Sequence, residues 1–328
     1  MDARFGRRET DEDARARRSW VGYLRSGYGG WEAGGGYYGE NPPDEEMIAA
    51  MRAGFDAGIN WVDTAEAYGA GRSEELVGDA IEGQDDVLVA TKVVMRPFGS
   101  GLDAAGIQAG ADQSRRRLRR DVLDLYQLHL PDPSVPVEES WEAMARLVDD
   151  GVARHIGVSN FPLELVRLCE PLRHVDTVQL HFSLLYREDY RDLQPFCEEN
   201  GIAMLAYGPL GFGVLTGTMT IGTRFADDDW RGGGVSVPVP LYEPIFAPGT
   251  FERHLARVDA LDPVAERNGM TLAQLALAWV VAQPGVTAAI AGSRSPARVG
   301  ENAAAGSIEF TRAQLEEVDA ALAGAASA

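Results

Sequence analysis

The sequence predicts an α/β fold in which eight parallel strands and their helices close into a (β/α)8 barrel, the TIM-barrel fold. From residue 45 onward, segments typical of strands alternate with segments typical of helices, which implies βαβ units and a parallel sheet. Seven strands follow from Asn60 and one precedes it, the number that closes such a barrel. A doubly wound open sheet is the alternative, but no G-x-G-x-x-G motif opens the first βα unit.

The first half of the predicted barrel rests on apolar periodicity and helix-start signals. Ile48, Met51 and Phe55 share one face of a predicted helix, and a serine followed by two acids begins the next helix at Ser73. In order, the predicted elements are helix 45–57, strand 60–63, helix 73–81, strand 86–92, helix 103–119, a strand from 122 that ends at His129, helix 137–151 and strand 153–160.

The second half continues the alternation and contains one long connection. Its predicted elements are helix 163–172, strand 177–182, helix 190–201, strand 202–210, helices 250–268 and 271–283, strand 286–292, helix 296–304 and helix 311–324, the last with a threonine cap. The Gly- and Pro-rich stretch 209–250 is too long for an ordinary connection, so we expect a lid loop there. We expect residues 1–26 to be poorly ordered or remodelled, and residues 27–328 to form one barrel domain.

Composition narrows the classes of partner. A formal charge of −20 over 328 residues argues against nucleic acid and anionic membrane surfaces. The sequence has no apolar run of about 18 residues and no signal-peptide pattern, so we expect a cytoplasmic protein without a membrane span. Cys169 and Cys197 have no CxxC spacing and are expected to be reduced thiols. No metal site is expected, and a homo-oligomer is compatible with this composition.

Four polar residues follow the ends of successive predicted strands: Asp63, Tyr68, Lys92 and His129. Each also has a purely structural interpretation. Asp63 could cap a helix or turn, Tyr68 could pack on the surface, Lys92 could have been kept by chance, and His129 could be a hydrogen-bonded polar residue. The carboxyl ends of barrel strands lie side by side, however, and barrel active sites are built there. Together the four residues therefore predict an active site.

Lys92 is the only lysine among the 30 lysine and arginine residues of the chain. Arginine cannot release its proton in a protein, whereas lysine is a compact cation whose pKa responds to its surroundings. A single position that keeps lysine favours a chemical role for it.

Six segments give the sequence a resemblance to a known family. They are GINWVDTAEAYGAGRSEELVG, LYQLHLPDP, GVARHIGVSNF, VQLHFSLL, LAYGPLGFGVLTG and IAGSRSPARVGEN. In this order they resemble the signatures of the aldo-keto reductases over roughly residues 27 to 320, and the arrangement looks most like the bacterial and channel-β-subunit branch. The resemblance implies a (β/α)8 barrel that binds NADPH and reduces a small-molecule aldehyde or ketone to an alcohol by hydride transfer.

The family's catalytic residues match the four strand-end positions. The resemblance implies that Tyr68 is the general acid, that Lys92 beside it favours the phenolate, and that Asp63 holds Lys92 in place. His129 would orient the substrate oxygen through a hydrogen bond.

The resemblance also implies a set of ligand-binding residues. Ser159, Asn160 and Gln179 would bind the nicotinamide carboxamide, Tyr207 would stack on the nicotinamide ring, backbone around Leu210, Gly211, Leu215 and Gly217 would line the pyrophosphate, Ser293, Arg294 and Arg298 would hold the 2′-phosphate, Glu301 and Asn302 would contact the adenine, and Trp31 and Trp230 would shape the substrate pocket.

The chain departs from the family pattern at Gly30, where the family has threonine, and at Ala291, where it has proline. Three other functions are considered. One is reduction of a conjugated C=C bond or of a keto group in a nucleotide-activated sugar or other secondary metabolite, although His129 favours C=O because related C=C reductases have glutamate there. Another is a regulatory subunit that senses its cofactor. The third is an unrelated barrel that uses Lys92 as a Schiff base.

Overall fold

The barrel strands pair in chain order, and the last strand pairs with the first. The computed structural model describes residues 25–233 and 243–326, and all eight strand pairings in its closed barrel are parallel. The strands are β1 Ser26–Gly29, β2 Trp61–Asp63, β3 Leu88–Val93, β4 Leu123–Leu128, β5 Ala153–Ser159, β6 Thr177–His181, β7 Ala203–Tyr207 and β8 Val286–Ile290. The predicted (β/α)8 barrel is therefore confirmed.

Helices surround the barrel. In the described residues they are α1 Trp31–Gly34, α2 Asp44–Asp56, α3 Arg72–Ala80, α4 Ala104–Leu118, α5 Val137–Asp149, α6 Leu163–Cys169, α7 Glu188–Asn200, α8 Glu243–Phe246, α9 Thr250–Arg267, α10 Leu272–Val281, α11 Pro296–Ala305 and α12 Arg312–Ala326. None of these helices is long and apolar enough to cross a membrane. Cys169 and Cys197 are free thiols buried in α6 and α7.

Short elements without apolar periodicity were not predicted. These are α1, α8 and two 3₁₀ turns, Gly211–Thr216 and Trp230–Gly232, of which all but α1 lie in the expected lid. Residues 1–24 and 234–242, which carry most of the N-terminal expectation and part of the lid expectation, lie outside the described residues.

The prediction that Ser73 caps helix α3 is wrong. Helix α3 begins at Arg72 after Gly71, whose φ is 100°, and Ser73 lies inside the helix. The Ser73 hydroxyl donates to the Gly30 carbonyl at 2.7 Å and lies 2.8 Å from the Thr64 hydroxyl. Ser73 therefore links α3 to the residues that follow β1 and β2. A buried hydroxyl is normally hydrogen-bonded, and here the fold supplies these two partners.

The barrel interior is divided into an apolar floor and a polar layer above it. The floor contains Trp61, Ala90, Leu125, Leu205 and Ala288. A Cβ on Gly27 would lie 2.3 Å from the Trp61 ring, so only glycine lets this indole fill the interior. Since side chains alternate along a strand, the residues two positions further along point into the same interior, nearer the carboxyl ends. Asp63, Lys92, Gln127 and Tyr207 occupy those positions.

A buried carboxylate joins the barrel to its helices. Glu74 of α3 accepts hydrogen bonds from the Thr91 hydroxyl of β3 and from Arg117 Nη1 of α4, both at 2.6 Å. The Glu74 side chain is fully buried and that of Arg117 is 20% exposed. Burial raises the pKa of Glu74, against the effect of these partners.

We expect Arg117→Ala to destabilise the fold by about 3 kcal/mol, because it leaves a buried carboxylate without its cation. Urea unfolding followed by circular dichroism measures this change. Arg312→Ala is the matched control, since the Arg312–Glu316 pair has an arginine side chain that is 92% exposed. The control should show no measurable change. Equal effects of the two substitutions would contradict the role assigned to the buried pair.

Candidate active site

The four predicted catalytic residues lie together at the carboxyl ends of the strands. Asp63 ends β2, Lys92 lies in β3, Tyr68 is in the loop after β2, and His129 directly follows β4. Lys92 Nζ donates to Asp63 Oδ1 at 2.5 Å, to the Thr64 carbonyl at 2.9 Å and to the Tyr68 hydroxyl at 3.4 Å. The rings of Tyr68 and His129 have centroids 5.5 Å apart and are nearly perpendicular. The four residues therefore lie close together, as expected.

Burial sets the protonation of the cluster. It raises the pKa of Tyr68 well above its ordinary value, and the negative charge of Asp63 acts in the same direction. Burial lowers the pKa of Lys92 and is opposed by Asp63, while burial and the Lys92 charge lower the pKa of His129 well below its usual range. At neutral pH Tyr68 therefore keeps its proton and His129 is neutral. Lys92, whose Nζ lies 3.4 Å from the Tyr68 hydroxyl, favours the phenolate as expected, but burial and Asp63 act in the opposite direction.

Sequence reasoning missed the polar support of Asp63. Gln179 Nε2 donates to Asp63 Oδ2 at 2.7 Å and to Gln127 Oε1 at 3.3 Å. Gln127 lies beside Lys92 in the register of β3 and β4, and it is fully buried. The available signal was an amide side chain in the predicted strand, two residues before His129. Gln179, expected at the carboxamide, also donates to the Asp63 carboxylate.

A cavity of about 590 Å³ extends from this cluster to the loop after β8. The predicted site residues that line it are Trp31, Asp63, Tyr68, His129, Ser159, Asn160, Gln179, Tyr207, Leu210, Ser293, Arg294, Arg298, Glu301 and Asn302. Lys92 is fully buried behind the cavity surface, and it reaches the cavity only through its contacts with Asp63 and Tyr68.

Asn160 and Tyr207 both line the cavity and are hydrogen-bonded to each other. The Tyr207 hydroxyl donates to Asn160 Oδ1 at 2.5 Å, and Asn160 Nδ2 donates to the His129 carbonyl and to Ser159 Oγ, each at 3.0 Å. The backbone φ of Asn160 is 58°, a left-handed value that asparagine tolerates. On the other side, the Tyr207 ring stacks on His181 at a centroid distance of 5.4 Å. The plane of the Tyr207 ring is thereby fixed before any ligand binds.

The two arginines after β8 have different surroundings. Arg294 donates to the Glu40 carbonyl at 2.8 Å and to the Tyr38 carbonyl at 3.0 Å, and its Nε lies 3.4 Å from Glu32 Oε2. Arg298, in the first turn of α11, is exposed and faces the cavity. The predicted phosphate role fits Arg298, whereas the donors of Arg294 are directed to the segment after β1. Ser295 occupies the N-cap position of α11, although its side chain makes no capping hydrogen bond.

Of the four positions after β7 around which the backbone was expected to line the pyrophosphate, one, Leu210, lines the cavity. Leu210, Phe212, Gly213 and Thr216 line the cavity, and the backbone leaves the 3₁₀ conformation at Phe212 and Gly213, whose φ values are 54° and 101°. Gly211 and Leu215 are buried, and a Cβ on Gly217 would lie 2.6 Å from Leu272, so these three predicted residues do not line the cavity.

The predicted place of Trp230 also differs. Its ring is 4% exposed and packs behind the cavity wall, with centroids 5.9 Å from Trp31 and 5.2 Å from Phe212. Trp31 and Phe212 line the cavity in its place. At Gly30 a Cβ would lie 2.9 Å from both the Asp63 carbonyl and Ser73 Oγ, so this chain has no room there for the family's threonine without a shift of these neighbours.

The chain matches known proteins over most of its length. The model of the "Aldo/keto reductase family" matches residues 26–323. The aldo-keto reductase YhdN of Bacillus subtilis is 38% identical over 283 residues, which are 84% of this chain and 82% of that protein.

Solved structures agree with this assignment. The glycerol dehydrogenase AKR11B4 of Gluconobacter oxydans superposes with a TM-score of 0.81 at 33% identity, over 92% of each chain. An aldo/keto reductase of Klebsiella pneumoniae, solved with NADP and acetate, superposes with a TM-score of 0.67 at 31% identity, over 90% of each chain. With a family model that matches residues 26–323 and with relatives that share its barrel, this chain belongs to the aldo/keto reductase family.

Proposed function

We propose that this protein reduces an aldehyde or ketone to an alcohol with NADPH and that Tyr68 is the general acid. The observation that carries this proposal is one contact. Tyr68 lines the cavity, and its hydroxyl touches the ammonium of Lys92, which is buried behind it. A carbonyl oxygen that reaches Tyr68 meets a protonated phenol backed by a fixed positive charge.

The cavity has the features that NADPH requires. Arg298, Ser293 and Ser295 surround the N-terminus of α11, where backbone N–H groups favour an anion. The fixed ring of Tyr207 suits stacking on a nicotinamide, and Ser159 and Gln179 are the residues that would bind the carboxamide. NADPH supplies the hydride when it is bound. The NADP complex of the Klebsiella relative supports this choice of cofactor.

The protein's own residues manage the proton. Tyr68 donates its proton to the carbonyl oxygen, and the Lys92 ammonium, 3.4 Å from the phenol oxygen, stabilises the phenolate that forms. Asp63 holds Lys92, and Gln179 holds the other oxygen of Asp63, so the cluster does not need to rearrange during the reaction. Neutral His129, beside the Tyr68 ring, orients the carbonyl oxygen.

The geometry argues against Schiff-base chemistry at Lys92. Its side chain is fully buried, and its ammonium is engaged by Asp63, the Thr64 carbonyl and Tyr68. A substrate carbonyl in the cavity would have to displace these partners to reach it.

We expect Lys92→Arg to reduce kcat by roughly 10²–10⁴-fold, the usual size of a general-acid contribution. The planar guanidinium does not fit the buried position of the compact ammonium. Tyr68→Phe should cause a similar loss, and the double variant little more, because residues that act as one unit are not additive. The measurement is NADPH oxidation at saturating carbonyl substrate.

The matched control is Arg312→Lys, the reverse exchange at an exposed site, which should leave turnover unchanged. NADPH affinity, measured by fluorescence titration, should change little in Lys92→Arg. A correctly folded Lys92→Arg protein with near-wild-type turnover would refute the assigned cluster.

We expect Arg298→Ala to weaken NADPH binding at least tenfold and to leave NADH binding nearly unchanged. Loss of a charge-assisted contact with the 2′-phosphate costs about 1.5–3 kcal/mol. Arg294→Gln is the comparison variant, and it should change the NADPH-to-NADH affinity ratio much less because Arg294 is bound to the Tyr38 and Glu40 carbonyls. Equal weakening of both cofactors in Arg298→Ala would show that the phosphate site is misassigned.

A further inference from the structure

The cavity wall beside the catalytic cluster is apolar and aromatic. We propose that the substrate carries a flat apolar group, such as an aromatic ring system, next to its carbonyl, and that Phe98 selects this group. This inference rests on the proposed carbonyl reduction and names the substrate class of the same site.

Phe98 is an apolar side chain that is exposed to solvent at the cavity. Its side chain is 56% exposed, and it is one of four large apolar residues that the described part of the chain exposes, with Leu168, Leu172 and Ile221. Single exposed apolar residues are common on protein surfaces and need no function. Phe98 differs from the other three because it lines the catalytic cavity.

The loop that carries Phe98 is held in place by a buried carboxylate. Glu66 Oε1 accepts hydrogen bonds from the backbone N–H groups of Val94 and Ser100, at 2.9 and 3.0 Å, and Oε2 accepts one from the Ser100 hydroxyl at 2.7 Å. A Cβ on Gly99 would lie 2.2 Å from Glu66 Oε1, so glycine permits this close approach. Glu66 therefore fixes both sides of Phe98, and the ring is presented by an ordered loop.

This loop starts at the reaction centre. It follows β3 directly after Lys92 and Val93, and the His129 backbone N–H donates to the Val93 carbonyl at 2.9 Å. Leu130, the next residue, also lines the cavity. The loops after β3 and β4 are therefore neighbours, and each adds apolar side chains to the cavity that Tyr68 and His129 line: Val94 and Phe98 from the first and Leu130 from the second.

An aromatic wall extends from the Tyr68 side. Trp31 begins α1, whose Gly34 backbone lies so close to Tyr68 that a Cβ on Gly34 would be 2.6 Å from the Tyr68 carbonyl carbon. The Trp31 ring has its centroid 5.7 Å from that of Tyr37, and both rings line the cavity. Flat apolar groups pack well between aromatic faces, because burial of area and ring–ring contacts both contribute.

The charges near this wall are already paired. Arg231 makes a two-point contact with Asp229, through Nε at 2.9 Å and Nη2 at 2.6 Å, and Arg294 is bound to Glu32 and to two carbonyls. A substrate carboxylate or phosphate here would have to break these contacts. A nucleotide-linked keto sugar would also place hydroxyls against Val94, Leu130 and Phe98, whose side chains offer no hydrogen-bond partner.

The test compares aldehydes that differ in the group beside the carbonyl. NADPH oxidation is followed with propanal, glyceraldehyde and 2-naphthaldehyde, and kcat/KM is determined for each. We expect the wild-type protein to favour 2-naphthaldehyde over glyceraldehyde by at least tenfold. In Phe98→Ala the ratio of kcat/KM for 2-naphthaldehyde to that for propanal should fall by about tenfold, the size usual for the loss of one apolar contact. Because this ratio is compared between wild type and variant, differences in intrinsic aldehyde reactivity cancel.

Three further variants sharpen the result. Phe98→Leu keeps an apolar side chain without a flat ring and should lie between wild type and Phe98→Ala. Glu66→Gln keeps the ring but puts a donor where the carboxylate accepts hydrogen bonds, so it should lower the same ratio without removing any substrate contact. Leu172→Ala removes an exposed apolar side chain away from the cavity and should leave the ratio unchanged.

The outcomes separate this inference from the proposed function. Reduction of these aldehydes with an unchanged ratio in Phe98→Ala, or a wild-type preference for glyceraldehyde, overturns the inference and leaves carbonyl reduction standing. An equal fall for all three aldehydes in Phe98→Ala also overturns it, because a selecting residue changes the ratio. If the wild-type protein oxidises NADPH with none of the aldehydes, the proposed function fails and the inference fails with it.

Discussion

The buried ion pair between Lys92 and Asp63 is the constraint on which the site depends. Two charges removed from water are tolerated only when every donor and acceptor around them is satisfied. Lys92 uses its ammonium on Asp63, the Thr64 carbonyl and Tyr68, and Gln179 takes the second oxygen of Asp63. The polar layer of the barrel is built to meet this need. The same contacts bring the one lysine of the chain to the phenol that would donate the proton.

Above this layer, the cavity has two ends of different character. At one end Glu66 holds an apolar ring at the rim, and at the other Arg298 and the N-terminus of α11 offer positive charge. Arg294 joins the loop after β8 to the segment that follows Trp31, because it donates to the Tyr38 and Glu40 carbonyls. The charge of the chain is −20, and Arg231 and Arg294 near the cavity are paired with carboxylates or carbonyls, so Arg298 and the N-terminus of α11 remain as the place for an anion.

Much of the fold and the reaction centre could be predicted from local patterns. Alternating strand and helix signals predicted the barrel, and polar residues at strand ends predicted the cluster of Asp63, Tyr68, Lys92 and His129. The predictions were wrong in detail in loops, where the sequence has no apolar periodicity to indicate which side chains face inward. The turn after β7 presents Gly213 and Thr216 in place of Gly211 and Leu215, and Trp230 lies behind the wall that it was expected to form.

By itself, the sequence determined the order of the elements, the residues at the strand ends and the chemical identity of the cluster, because periodicity and strand length are local properties of the chain. Only the tertiary structure decided which distant groups became partners. Gln179 meets Asp63 across 116 positions, and Arg294 meets the Tyr38 carbonyl across 256. These choices depend on how the closed barrel places side-chain donors beside buried acceptors, and no local pattern encodes that distance. The physical reason is that a buried polar group takes whichever partner the closed fold puts within hydrogen-bonding reach.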